Sequence, residues 1–238
     1  MLRKGKGGGR IIGMARGMDK EIAAGACAGR RGRPKVKPDE EQRVRIVERA
    51  GKLFRDKGYG PTTTDDLAAF CEVSKRTLYR LFGSKLSLFA AVVAAYRFEM
   101  LALPGDYDDL PLEEALGRIF KIDIDDETDR SRLAFLKVII VEASHSSDLR
   151  QVLRTYGGDK ARAHLAAWLD HQRKLGRIEV RDVENAAQIL IDMLFGSAIS
   201  RMFSEFNWPG SARRREYAHH CIALFLNGVL PRAAVSDR

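Results

Sequence analysis

Apolar side chains recur at helical spacing from about residue 39 to residue 230, and short polar breaks cut the pattern into segments. In the first segment Val47, Ala50 and Phe54 share one stripe, widened by Ile46 and Leu53. Asp39 is placed to cap it, with Gln42 three residues on, and Gly58 and Gly60 end it. The second segment opens at Thr63, has Asp66 at its third position, and turns Leu67, Ala68 and Cys71 inward. Only Glu72 and Val73 separate it from a third, which Ser74 caps. There Leu78 and Leu81 or Phe82 point to the core, and Lys75, Arg76, Thr77, Tyr79 and Arg80 are left outside. Ser84 caps a fourth helix that carries Leu86, Leu88, Phe89, Val92 and Val93 and runs toward Phe98.

Residues 104–111 hold two prolines, Gly105 and three aspartates, a junction between two bodies. Beyond it the pattern predicts helices over residues 112–120, 130–143, 149–175, 183–203 and 212–230, with nothing that alternates as strands do. The expected fold is all-α: an N-terminal three-helix domain and a larger C-terminal helical domain. The expected divisions are a tail at 1–37, the three-helix domain at 38–95 and the C-terminal domain at 96–230.

Charge changes the picture at one end only. Residues 1–38 hold 11 Lys and Arg against Asp19 and Glu21, whereas the other 200 residues hold 30 basic and 30 acidic groups. A cationic, Gly-rich tail on a neutral body suits a polyanion. Within it, Arg31-Gly32-Arg33-Pro34 has the arginines that a narrow minor groove attracts. Cys27, Cys71 and Cys221 lie far apart without ligand spacing, which points to a reducing, cytoplasmic setting and no structural bridge. No apolar run reaches the roughly 20 residues of a membrane span, so no membrane partner is expected.

Two short helices joined by a tight link, the second rich in groups that bond DNA, are what a helix-turn-helix needs. Lys75 and Arg76 have the reach for guanine acceptors in the major groove. Thr77 and Arg80 suit bases or phosphates alike. Thr63 and Ser74 mark helix N-termini whose amides suit phosphate, and Tyr79 and Lys85 add a hydroxyl and a point charge.

Residues 62–89 resemble the DNA-binding signature of the tetracycline-repressor (TetR) family of bacterial transcription regulators. The resemblance rests on Thr64-Asp65-Asp66-Leu67-Ala68, Val73-Ser74-Lys75, Thr77-Leu78-Tyr79, Phe82, Ser84-Lys85 and Leu88-Phe89, with Ala50, Phe54, Gly58 and Tyr59 before them. Cys71-Glu72 stands where that family more often has a small residue and glycine, and Gly83 is a second departure. The resemblance implies an all-α protein with a homeodomain-like helix-turn-helix DNA-binding domain at 38–95 and a C-terminal helical regulatory and dimerisation domain at 96–230. It also implies a homodimeric regulator on a palindromic operator in double-stranded DNA, with repression relieved by a small ligand.

The apolar C-terminal region supplies candidates for the other two roles. A pocket for a small apolar effector is expected from Phe120, Phe135, Ile139, Trp168, Met193 and Phe195. A dimer seam is expected from Leu190, Leu194, Ile222, Phe225 and Val229, on two helices apolar around much of their girth. Enzyme chemistry finds little support. His145, His164, His171, His219 and His220 lack metal-site spacing, and neither Gly-rich stretch has the Lys of a phosphate loop, so no metal or cofactor is expected. The rival readings are a nucleoid-like protein that binds DNA without sequence selection, and a helical protein-interaction module.

Overall fold

The computed structural model describes residues 36–202 and 213–230, and side chains over 39–196 and 213–230. Ten α-helices and one π-helical turn account for the regular structure there, and no strand occurs among the described residues. The helices are α1 (Val36–Lys57), α2 (Thr64–Cys71), α3 (Lys75–Phe82), α4 (Lys85–Met100) and α5 (Leu112–Ile119). They continue as α6 (Asp126–Ser144), α7 (Ser147–Val152), α8 (Asp159–Lys174), α9 (Val183–Met202) and α10 (Arg214–Val229). The chain divides into two compact units, one ending at Ala95 and the other beginning at Tyr96.

In the first unit, Ile46, Ala50 and Phe54 of α1 are fully buried, with Leu67 and Cys71 of α2 and Leu88 and Phe89 of α4. Phe54, Tyr59 and Phe89 form an aromatic cluster with ring centroids 4.8 to 5.5 Å apart. Helix α2 opens on a reciprocal capping box: the Thr63 hydroxyl accepts from the Asp66 amide, and the Asp66 carboxylate accepts from the Thr63 amide. Ser74 caps α3 by accepting from the Thr77 amide, and Ser84 caps α4 through the Ser87 amide. Asp39 does not cap α1. That helix starts earlier, at Val36, and Asp39 sits in its first turn with its carboxylate on Arg80 of α3.

Two turns have left-handed backbone. Glu72, which ends α2, has φ 56° and ψ 45°, the conformation where glycine is favoured. Its carboxylate is held by Arg49 at 2.8 Å, an exposed pair of modest strength. Gly83 has φ 75° and ψ −43°, and the axes of α3 and α4 on either side of it are bent by 64°.

In the second unit, α5, α8, α9 and α10 share one apolar core that includes Leu116, Phe120, Leu165, Trp168, Leu190 and Ile222. The segment expected as one helix over 149–175 is divided by a π turn, Leu153–Gly158, which contains Gly157 and Gly158. The loop before α5 is tied to the end of α8: the Asp108 carboxylate bonds His171 at 2.7 Å and Gln172 at 2.8 Å. Arg177 adds bonds to the Asp108 and Leu110 carbonyls.

The turns predict opposite responses to substitution. Gly83→Ala places a side chain at a positive φ and should cost about 1–2 kcal/mol in urea unfolding. Glu72→Gly relieves the same strain and should cost nothing or stabilise; a loss of more than about 1 kcal/mol would show that the Arg49 pair dominates that turn.

The capping box predicts an acid response. The Lys57 ammonium, with the Thr63 amide and hydroxyl, holds the Asp66 carboxyl well below the ordinary carboxylate range. A depressed carboxyl adds stability that is fully present above roughly pH 4 and is lost as pH falls toward the lowered value. Unfolding curves of the native protein should therefore fall more steeply below pH 4 than those of Asp66→Asn. Parallel curves would remove Asp66 from the account.

Candidate nucleic-acid interface

Helix α3 is the second of the two short, tightly linked helices, and its eight residues divide cleanly by face. Leu78, Leu81 and Phe82 are buried, and Lys75, Arg76, Tyr79 and Arg80 are exposed, with Thr77 between. Its far end is held by Arg43 of α1, which donates to the Leu81 carbonyl and lies over the Phe82 ring at 4.6 Å. A cation at a helix C-terminus also suits the helix dipole. The apolar face thus fixes the roll of α3, and the roll decides which polar groups look outward.

Those groups differ in what they are already bonded to. Arg76 has no hydrogen bond or ion pair among the described residues, and Tyr79 is 51% exposed with its hydroxyl unbonded there. Lys75 is paired with Asp65 of α2 at 2.5 Å, which holds its ammonium above its ordinary pKa. Arg80 is clasped by Asp39 through both Nη atoms, at 2.7 and 3.2 Å, with Gln42 at 3.5 Å, and its pKa is likewise raised by Asp39. Thr77 and Ser74 hydrogen-bond each other's hydroxyls at 2.9 Å within the α3 cap.

Lys85, at the start of α4, rests over the Tyr59 ring at 4.1 Å and reaches the Gly60 carbonyl at 3.4 Å. Thr63 is exposed at the start of α2, its hydroxyl shared with Asp66. Arg31 and Arg33 lie outside the described residues. The structure therefore brings Thr63, Ser74, Lys75, Arg76, Thr77, Tyr79, Arg80 and Lys85 into one unit, with Arg76 and Tyr79 the most open. Sequence reading missed Asp65 as the partner of Lys75 and read Asp39 as a cap. Both pairings cross between helices, so no local spacing announces them.

In the second unit, four of the six expected pocket residues meet. Phe120 and Trp168 belong to the shared core, and Met193 and Phe195 pack against it, with Phe120 and Phe195 rings 5.8 Å apart. Phe135 and Ile139 are buried on α6 outside that core, where Phe135 meets the Tyr96 ring edge-on at 4.6 Å. Of the expected seam residues, Leu190, Leu194, Ile222 and Phe225 are buried within their own chain, and Val229 packs at the margin of the same core. Among the described side chains, the large apolar ones that α9 and α10 leave open are Ile189, 54% exposed, and Leu224, 53% exposed. No three His, Cys, Asp or Glu among the described residues are grouped to hold a metal ion. No single described helix is long and apolar enough to cross a membrane.

Residues 46–92 match the model for bacterial regulatory proteins of the tetR family. Residues 114–228 match that for the C-terminal domain of AefR-like transcriptional repressors. Together the matches span about two thirds of the chain. The transcriptional activator FasR of Mycolicibacterium smegmatis is 39% identical over 56 residues, 24% of this chain and 26% of that one. The chain thus spans about a quarter of the length of that relative. A TetR-family regulator from Mesorhizobium loti shares the fold at TM-score 0.62 and 22% identity, over 81% of this chain and 98% of that one. The flavonoid-responsive regulator FrrA aligns at TM-score 0.54 and 25% identity, over 81% and 99%. With the capped helix pair α2–α3, the basic outer face of α3 and the all-helical second unit, these matches show that the chain belongs to the tetR family of DNA-binding bacterial transcription regulators.

Proposed function

We propose that the protein is a cytoplasmic, homodimeric repressor that reads a palindromic operator with α3 and lets go when a small apolar effector enters its second unit. It acts as a regulator and not as an enzyme. The observation that carries the DNA reading is the outer face of α3, where Arg76 and Tyr79 are open and Lys75 is held by one exposed ion pair. Repression is favoured by the AefR-like match over the C-terminal region, which is longer than the match to the activator FasR. Effector control is favoured by the likeness to a flavonoid-responsive regulator. Dimerisation is favoured by the exposed Ile189 and Leu224, large apolar side chains on adjacent terminal helices.

Roles on the DNA face follow from the bonds already made. Arg76 and Lys75 are the base readers, and Tyr79, Lys85 and the first-turn amides that follow the caps Thr63 and Ser74 bind phosphates. Thr77 is held in the cap, and Arg80 chiefly braces α3 against α1. Asp65 keeps Lys75 extended over the turn until DNA competes for it. The basic tail, with Arg31 and Arg33, adds minor-groove and phosphate binding. A nucleoid-like protein without sequence selection would bind operator and random DNA equally at one salt concentration.

A binding screen of promoter fragments, beginning with the DNA flanking its own gene, should yield an operator. On that operator Arg76→Ala should cost about 1–3 kcal/mol and relax preference at one base position of each half-site. Unchanged affinity for operator and mutated operator would remove Arg76 as a reader. Deleting residues 1–37 should weaken binding and flatten its salt dependence, by a log-log slope of roughly 0.9 for each phosphate that the tail neutralises. An unchanged slope would make the tail a spectator.

The seam gives a separate test. Ile189→Glu with Leu224→Glu should yield a folded monomer by sedimentation, because neither side chain supports its own chain's core. A dimer that survives both substitutions would contradict the proposed faces. Charge at Leu194 or Phe225 should instead unfold the domain.

A further inference from the structure

The second unit holds one buried and one partly buried guanidinium group that share one carboxylate. Arg132 lies on the buried stripe of α6 with Phe135, Ile139 and Ala143, its side chain 4% exposed. Its Nε donates to Asp129 at 2.7 Å, and its Nη1 reaches the carbonyl oxygens of Phe120 at 3.3 Å and Glu99 at 3.5 Å. Arg214, at the start of α10 and 15% exposed, pairs through Nη1 with the other oxygen of Asp129. Neither Nη2 has an acceptor among the described residues.

Among the described residues Glu99 attracts Arg132 electrostatically, but it is exposed and its carboxylate is paired with Lys121. Asp123 and Asp126 are exposed and face Arg215. A guanidinium stays protonated, so among the described residues two cations share one carboxylate at short range, and the other acids near them are exposed and already paired. Burial presses both arginines below their ordinary pKa, which reports the same cost. One missing negative charge beside planar donors is what a monoanionic carboxylate supplies.

The surroundings are apolar and aromatic. Arg132 reaches the backbone of Phe120, whose ring belongs to the core that also holds Trp168. Trp168 is 6% exposed, and its indole N–H has no acceptor among the described residues. On α6, Phe135 follows Arg132 by one turn and meets the Tyr96 ring.

We propose that Arg132 and Arg214 receive the carboxylate of a small apolar acid, whose body lies against Phe135 and Phe120. This rests on the reading of the second unit as an effector domain and narrows the effector to monocarboxylates. The acid would join α6 to the start of α10 by neutralising both arginines at once.

The test uses the full-length protein with benzoate and decanoate as probes, each against its neutral amide, by calorimetry and thermal shift. At least one carboxylate should bind tenfold or more tightly than its amide and raise Tm. Arg214→Gln, the less buried change, should abolish that preference with native circular dichroism. Arg132→Lys, which keeps the charge and loses the fork, should weaken it. Asp129→Asn, which removes the competing carboxylate, should tighten carboxylate binding several-fold. Equal binding of acid and amide, no binding of either acid, or a preference that survives Arg214→Gln would overturn the proposal. Operator affinity is measured in parallel. Arginine-dependent acid binding that leaves operator affinity unchanged supports the anion site and refutes effector control. Operator release by the amides alone refutes the site and leaves effector control standing.

Discussion

An eight-residue helix does not hold itself in water, because the cost of nucleating it is not recovered over two turns. Helix α3 exists because Leu78, Leu81 and Phe82 are buried and its two ends are tied down, at Ser74 by a cap and at Leu81 by Arg43. That burial also sets the roll of the helix. Once the three apolar residues face inward, Lys75, Arg76 and Tyr79 have only one direction left. The outward face of α3 is thus a by-product of its burial, and any reading of DNA by it depends on Leu78, Leu81 and Phe82 as much as on its exposed side chains.

Local features are legible in the sequence because their partners are three residues away. The capping box at Thr63–Asp66 and the cap at Ser74–Thr77 follow from that spacing. Features that join distant positions are not. Asp39 looks like a cap until its partner, Arg80, is known to lie 41 positions on. Arg132 sits near the polar start of α6, where no spacing singles it out, yet it is among the most buried polar residues described. The π turn at Leu153–Gly158 leaves no clear periodic mark, so the pattern alone predicts one long helix there.

Helices α9 and α10 show a limit of a different kind. Apolar residues around most of a helix say that several sides are covered but not by what. Leu190, Leu194, Ile222 and Phe225 turn out to be covered by their own chain, and among the described side chains the large apolar ones left open on these helices, Ile189 and Leu224, carry no distinguishing composition. Hydropathy counts apolar side chains equally, and only the fold sorts them into buried and open.

The central claim is that two copies of α3 read bases in successive major grooves of one operator. Methylation interference at guanine N7 tests it directly, because that atom is in the major groove and is where an arginine would bond. The account predicts two patches of interference related by a dyad, their centres about 10 base pairs or a multiple apart. Interference spread evenly along the fragment, or none at any guanine while the protein stays bound, would contradict it.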